Sequence, residues 1–282
     1  MSDNDIRLLA LDGGGVCGLS SLMILQNLIS TIDPDSPLKP YDYFDIICST
    51  STGGLIAIML GRLRITVDEY ITAYTSLSDE VFEKKSHRVK INSQFQGRFD
   101  TVALEQAVKQ ILVDNGHRED TLLKDPSKTA CKLLCLTSYR PRGLAHLYNS
   151  TKIWQACRAT SATTTFFDLI AIGPFQEQFV NSTLRANNPC LVSIGTGVSA
   201  LRPVRNDVLG IRAILKKLAT EIEIIAEQFH RNKSSLNNKG CYYYFNIACS
   251  LKNISLEELK KQHEIAAATR CDGSNTPRSI KR

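Results

Sequence analysis

Two groupings in this 282-residue chain carry residue types that could do covalent chemistry. The first is Ser51, which lies in YFDIICSTSTGGLIAIML (43–60) with Gly53 two places after it. A serine on a sharp strand-to-helix turn has its Oγ lifted off the end of a parallel sheet and set at a helix N-terminus. That is the logic of the Gly-x-Ser-x-Gly nucleophile elbow. Ser49 stands where the first glycine of that pattern belongs, at a place where backbone packs close and only a small residue is tolerated. The same Ser/Thr/Gly cluster also reads as an ordinary connector that supplies a helix cap.

The second grouping is Asp12-Gly13-Gly14-Gly15-Val16-Cys17-Gly18. A glycine-rich loop between a strand and a helix exposes a row of backbone N–H groups, which suits an anion. One candidate anion is a dinucleotide pyrophosphate, since Gly13-x-Gly15-x-x-Gly18 matches that fingerprint literally. The acid this fingerprint needs at the end of the second strand is absent: Asp33 and Asp35 sit in DPDSP, a turn. No Gly-Lys-Ser/Thr follows either, so the loop is not a Walker A. The other candidate is the oxyanion of an acyl-transfer intermediate, for which paired N–H donors are the usual device. The neighbouring serine favours this one.

The elements that must position these groups follow from the apolar pattern. Strands are expected at 7–11, 44–48, 132–138, 175–180, 191–194 and 242–249. Helices are expected at 19–32, after Ser51, from a cap near Thr66 to about 83, and at 101–113, 153–160, 208–230 and 255–269. Residues 84–98 read as a polar, basic surface loop. Strands alternating with helices imply an α/β fold with a mostly parallel sheet covered on both faces. One domain over 1–271 is expected, followed by a basic, disordered tail at 272–282.

Bulk properties exclude several classes. The net charge of +6 is modest and spread out, which argues against a nucleic-acid binder and is compatible with anionic lipid headgroups. The first residues lack a basic segment followed by an apolar one, and no run is expected to reach the length that crosses a bilayer, so a cytoplasmic protein is expected. Nine cysteines is an odd number. Cys48, Cys135 and Cys249 lie in apolar runs as small hydrophobes, and Cys131 and Cys135 have no second ligand pair. Neither a metal nor a cofactor is expected. The sequons at Asn149 and Asn181 carry no meaning without a secretory signal.

With these stretches in order, the chain resembles the patatin-like phospholipases, in particular their fungal members. The blocks are LLALDGGGVCGLSSL, FDIICSTSTGGLIAIMLGRL, IWQACRATSATTTFFD, FVNSTLRANNP, CLVSIGTG and HEIAAATR. The resemblance implies a three-layer α/β/α sandwich and a lipid acyl hydrolase with a Ser–Asp dyad. It further implies a glycerolipid or acyl-ester substrate and a membrane surface or signalling context. It assigns Ser51 as nucleophile and Gly13, Gly14 and Gly15 as oxyanion donors, with Ser49 and Gly53 flanking the elbow.

Each block departs from the family's pattern in at least one place. The catalytic aspartate position is Asn181, in Asn181-Ser182-Thr183. Asparagine has the shape of aspartate but no lone pair basic enough to take a serine proton. Cys17 replaces a cation that would brace the glycine loop, leaving the loop less well held. Thr163-Thr164 stand where fungal relatives tend to carry Ala-Pro. The implied activity is therefore attenuated, and the alternative is a lapsed enzyme serving as a lipid- or partner-binding module. No histidine carries a local signature linking it to Ser51. Asp12 is expected to hold the loop by accepting backbone N–H bonds.

Overall fold

The structure, a computed structural model, describes residues 6–82, 97, 99–127, 131–139, 149–163, 166–181 and 261–273. Three short apolar segments form its parallel core: β1 (Leu8–Leu11), β2 (Ile46–Thr50) and β3 (Lys132–Tyr139). β2 runs between the other two, with Leu11 opposite Ser49 on one side and Ser49 opposite Cys135 on the other. A strand flanked on both sides has no polar alternation to spare, which is why Ile47, Cys48, Ser49 and Thr50 are all buried.

The rest of the described sheet is antiparallel. β5 (Glu177–Asn181) pairs with β3, and β4 (Ile170–Ile172) pairs with β5, giving the order β1-β2-β3-β5-β4. The strand expected at 175–180 is thus the second arm of a hairpin. Its partner β4 is three residues long and too short to show a pattern. Gly173 (φ 82°) and Gln176 (φ 52°) turn the chain between the two arms.

The helices bury one face each. In α1 (Gly18–Ile32), Leu19, Leu22, Leu25 and Ile29 recur at three and four residues and share one core with side chains of β2 and of the later helices. A single helical turn at Gly15–Cys17 feeds α1, so 15–32 is an 18-residue helical run of mean hydropathy 1.5. That run is long and apolar enough to cross a bilayer, contrary to expectation; its buried face belongs to the protein core. A short α2 (Pro40–Tyr43) leads into β2, and α3 (Thr52–Ala57) follows it, buried at every position. α3 continues into a wider turn at Ile58–Arg62, where Leu63 N–H bonds Ile58 O at 3.1 Å.

α4 (Val67–Val81) begins where expected, with a capping box in which Thr66 and Glu69 satisfy each other's backbone N–H. α5 (Thr101–Asp114) is capped by Asp100, whose carboxylate accepts from Val102 N–H at 2.9 Å. α6 (Ile153–Ser161) packs on α3, α5 and β5, and α7 (Gln262–Gly273) packs on α1. α7 covers the described part of the helix expected at 255–269 and continues to Gly273. The elements expected at 191–194, 208–230 and 242–249, and residues 274–282, lie outside the described residues. Helices laid on a central sheet are the α/β arrangement expected.

Candidate functional site

β2 delivers Ser51 to the turn with a backbone no ordinary connector adopts. Its φ of 53° and ψ of −127° lie outside the regions open to a residue with a side chain, a strain of about 1–3 kcal/mol. The surroundings hold it there. Gly54 and Leu55 give their N–H groups to Ser51 O at 2.8 and 3.3 Å, and the Thr160 hydroxyl of α6 donates to the same oxygen at 3.3 Å. A Cβ on Gly53 would lie 2.5 Å from Leu11 O and 2.8 Å from Asp12 O, so the turn closes against β1 only because residue 53 is glycine. The Ser51 side chain makes no capping bond to α3. The connector reading therefore fails, because a cap would spend the hydroxyl on the helix.

The glycine loop leaves β1 on the adjacent strand. Gly15 has φ 54°, and its carbonyl accepts a 2.7 Å bond from the buried Tyr74 hydroxyl of α4. Burial pushes the Tyr74 phenol above its ordinary value and keeps it a donor. Tyr74 thus braces the loop. Burial likewise raises the Cys17 thiol, so the helix start does not make it a thiolate. Asp12 departs from expectation: its carboxyl accepts no hydrogen bond among the described residues, and burial raises it from 3.8 to about 7.

Asn181 ends β5 opposite Thr137, one residue beyond the Leu136 that pairs with Thr50. The two strand ends that carry residues 51 and 181 therefore flank the same end of β3. Asn181 is buried; its backbone N–H donates to Ala162 O at 2.9 Å, and its Nδ2 donates to Thr163 Oγ1 at 2.6 Å.

A cavity of about 670 Å³, counted to its open mouth, joins these pieces. Gly13, Gly14, Gly15, Ser51, Ser161 and Thr163 line its polar end. Leu55, Leu77, Val81, Phe82, Phe166 and Phe167 line the remainder, with Phe82 and Phe167 ring centroids 6.0 Å apart. Asn181 reaches this wall through Thr163. Ser49 is fully buried within the sheet between β1 and β3. Asp45 accepts from Arg7 N–H at 2.7 Å at the opposite end of β2, roughly 20 Å from Ser51 at about 3.3 Å per residue. His117 and His263 do not line the cavity. No cluster of metal-ligating side chains occurs among the described residues.

Residues 9–194 match the family model described as patatin-like phospholipase. The chain belongs to that family. It is 27% identical to human calcium-independent phospholipase A2-gamma and 26% to the rabbit protein, in each case over 91% of this chain and 36% of the relative. It is also 27% identical to a probable inactive patatin-like protein 9 of Arabidopsis thaliana, over 68% of this chain and 54% of that one. The chain thus spans about a third of the length of the phospholipase A2-gamma relatives. The patatin fold is a three-layer α/β/α sandwich, and the parallel β1-β2-β3 unit with its helices is consistent with it.

Sequence reasoning missed Tyr74 and Ser161. Tyr74 reads as one more apolar position of an amphipathic helix, and only the packing of α4 on the loop gives its hydroxyl a role. Ser161 lies among several small residues in ATSATTT, with nothing local to single it out.

Proposed function

We propose that the chain is a patatin-like lipid acyl hydrolase acting on glycerolipid esters, with Ser51 as nucleophile and Gly13, Gly14 and Gly15 as oxyanion donors. The observation that carries this reading is the strained Ser51 backbone at the rim of a cavity shared with the glycine loop. Apolar side chains continue that cavity beyond the glycine loop and Ser51, a lining that suits the hydrocarbon part of an acyl ester. Ser51 would attack the ester carbonyl, giving its proton to solvent while the carbonyl oxygen gains charge beside the loop amides; the alcohol then leaves with a proton from solvent, and water cleaves the acyl-serine to release the acid. Asn181 cannot receive that proton, so turnover is attenuated by the 10²–10⁴-fold that general base catalysis typically supplies. The resemblance to phospholipases A supports a lipid ester as substrate. Contact with a membrane surface, a cytoplasmic and signalling setting, and kinship with fungal members belong to the same proposal.

A second reading, a lapsed site kept as a lipid- or partner-binding module, is favoured by the commitment of the Asn181 amide to Thr163. Turnover of a short-chain nitrophenyl ester by the native chain, Ser51→Ala and Asn181→Asp decides between them. Slow native turnover that vanishes in Ser51→Ala supports the hydrolase. Turnover indifferent to Ser51 removes the serine from the mechanism, and no native turnover with a large gain in Asn181→Asp supports the lapsed reading.

A further inference from the structure

The polar end of the cavity holds donors without acceptors. Ser161 is 6% exposed and lines the cavity, and its buried hydroxyl has no hydrogen-bond partner among the described residues. A buried hydroxyl left unpaired costs free energy, and a ligand acceptor would remove that cost. Thr163 is a second donor. Its oxygen accepts from Asn181 Nδ2, so its hydrogen remains to be given elsewhere, and no described residue takes it. The amides of Gly14 and Gly15 likewise go to no acceptor among the described residues.

Asn181 sets this polarity. An aspartate at 181 could only accept, so it would take the Thr163 hydrogen for itself and place a negative charge behind the cavity wall. The amide does the reverse: it turns Thr163 into a donor and leaves the wall neutral. Behind the same wall, Arg158 lies one turn before Ser161 on α6 and is 2% exposed. Its Nη2 donates at 3.2 Å to Asp168 O, next to cavity-lining Phe167; Nη1 has no hydrogen-bond partner among the described residues, and the Glu105 and Asp168 carboxylates act on the guanidinium from nearby. Asp12, the carboxyl beside the loop, is raised to about 7 by burial and so offers little opposing charge at or below that pH.

We propose that this cavity is a receptor for a non-esterified fatty acid, with the carboxylate held by the Ser161 and Thr163 hydroxyls and the loop amides, and the chain laid along Leu55, Leu77 and Val81. The inference rests on the acyl-lipid reading of the cavity and changes the ligand from ester to free acid. An ester presents one carbonyl oxygen and no charge; a carboxylate presents two oxygens and a full charge to a site made of donors. An active dyad would repel such a ligand, and the neutral one does not.

The test is a titration of the full chain with dodecanoate and with methyl dodecanoate, and with acetate to separate head from chain. The native chain is expected to prefer the acid over its methyl ester by at least about tenfold and to bind acetate far more weakly than either. Ser161→Ala, which removes an unpartnered hydroxyl and should fold normally, is expected to lose most of that preference. Asn181→Asp, placed in a Ser51→Ala background so that the ester is not hydrolysed, is expected to abolish it. Equal binding of acid and ester by the native chain overturns the proposal and leaves the acyl-cavity reading standing. A preference that survives in Ser161→Ala also overturns it. Binding of neither ligand overturns it too, and nitrophenyl-ester turnover through Ser51 then reports separately on the hydrolase.

Discussion

The nucleophile side and the acid side of this site have been treated differently. On the nucleophile side the geometry is costly and intact: a strained Ser51, a Gly53 pressed on the carbonyls of Leu11 in β1 and of Asp12 just after it, and a glycine loop pinned by Tyr74. On the acid side the scaffold is equally intact. Asn181 sits at the strand end in register with the elbow, buried and bonded through its amide to Thr163. Shape and charge are therefore separable here. Packing holds the strained Ser51 backbone, while the asparagine at 181 brings an amide and no charge.

The comparison is broken most directly by restoring the charge. Asn181→Asp is expected to raise nitrophenyl-ester turnover by about 10²–10⁴-fold, equivalent to roughly 3–5 kcal/mol of transition-state stabilisation. Ser51→Ala in that background should return the rate to the uncatalysed level. No gain in stopped assays of Asn181→Asp would mean that the acid side has lost geometry as well as charge.

Next in size is Gly53→Ala, which sets a methyl against two backbone oxygens that cannot move without shifting β1. A loss of about 2–4 kcal/mol is expected in urea denaturation. A neutral result would show that the elbow is looser than its contacts imply.

Asp12 gives a pH signature of the start of the glycine loop. Its folded value is about 7 against an ordinary 3.8, so between these limits the folded chain keeps a proton that the unfolded chain has released. Stability should therefore fall as pH rises through that window, by a few kcal/mol at most, and level off above it. Asp12→Asn should flatten that slope, as followed by denaturation at a series of pH values. An unchanged slope would assign the effect to other groups.

The smallest effect expected is that of Tyr74→Phe, which leaves Gly15 O without its donor and costs about 1–2 kcal/mol. Residual ester turnover should fall with it if the loop supplies the oxyanion donors. A stability loss without a rate loss would detach the loop from the chemistry.

Much of the nucleophile side was legible before folding was considered. An apolar run ending at Ser51 and a glycine run ending β1 announce themselves locally, because strand, turn and helix starts are governed by neighbours in sequence. The Thr66 cap was legible for the same reason. β4 was not, since three residues carry no period; with β5 it adds an antiparallel hairpin beside the expected parallel strands β1, β2 and β3. The role expected of Asp12 failed because a carboxylate before a glycine turn usually finds backbone donors, and here burial came without them.

By itself, then, the sequence determined which residues could react: a serine with glycine after it, three glycines in a row, and an asparagine where the pattern calls for an acid. Those are statements about residue type and near-neighbour order, which the chain carries wherever it goes. Only the tertiary structure decided what surrounds them: that α4 lends Tyr74 to the loop, that α6 brings Thr160 to the elbow and Ser161 to the cavity, and that Thr163 takes the Asn181 amide. These partners lie up to 109 residues apart along the chain. Contacts at that separation are chosen by how helices pack on a sheet, and no local pattern encodes that choice.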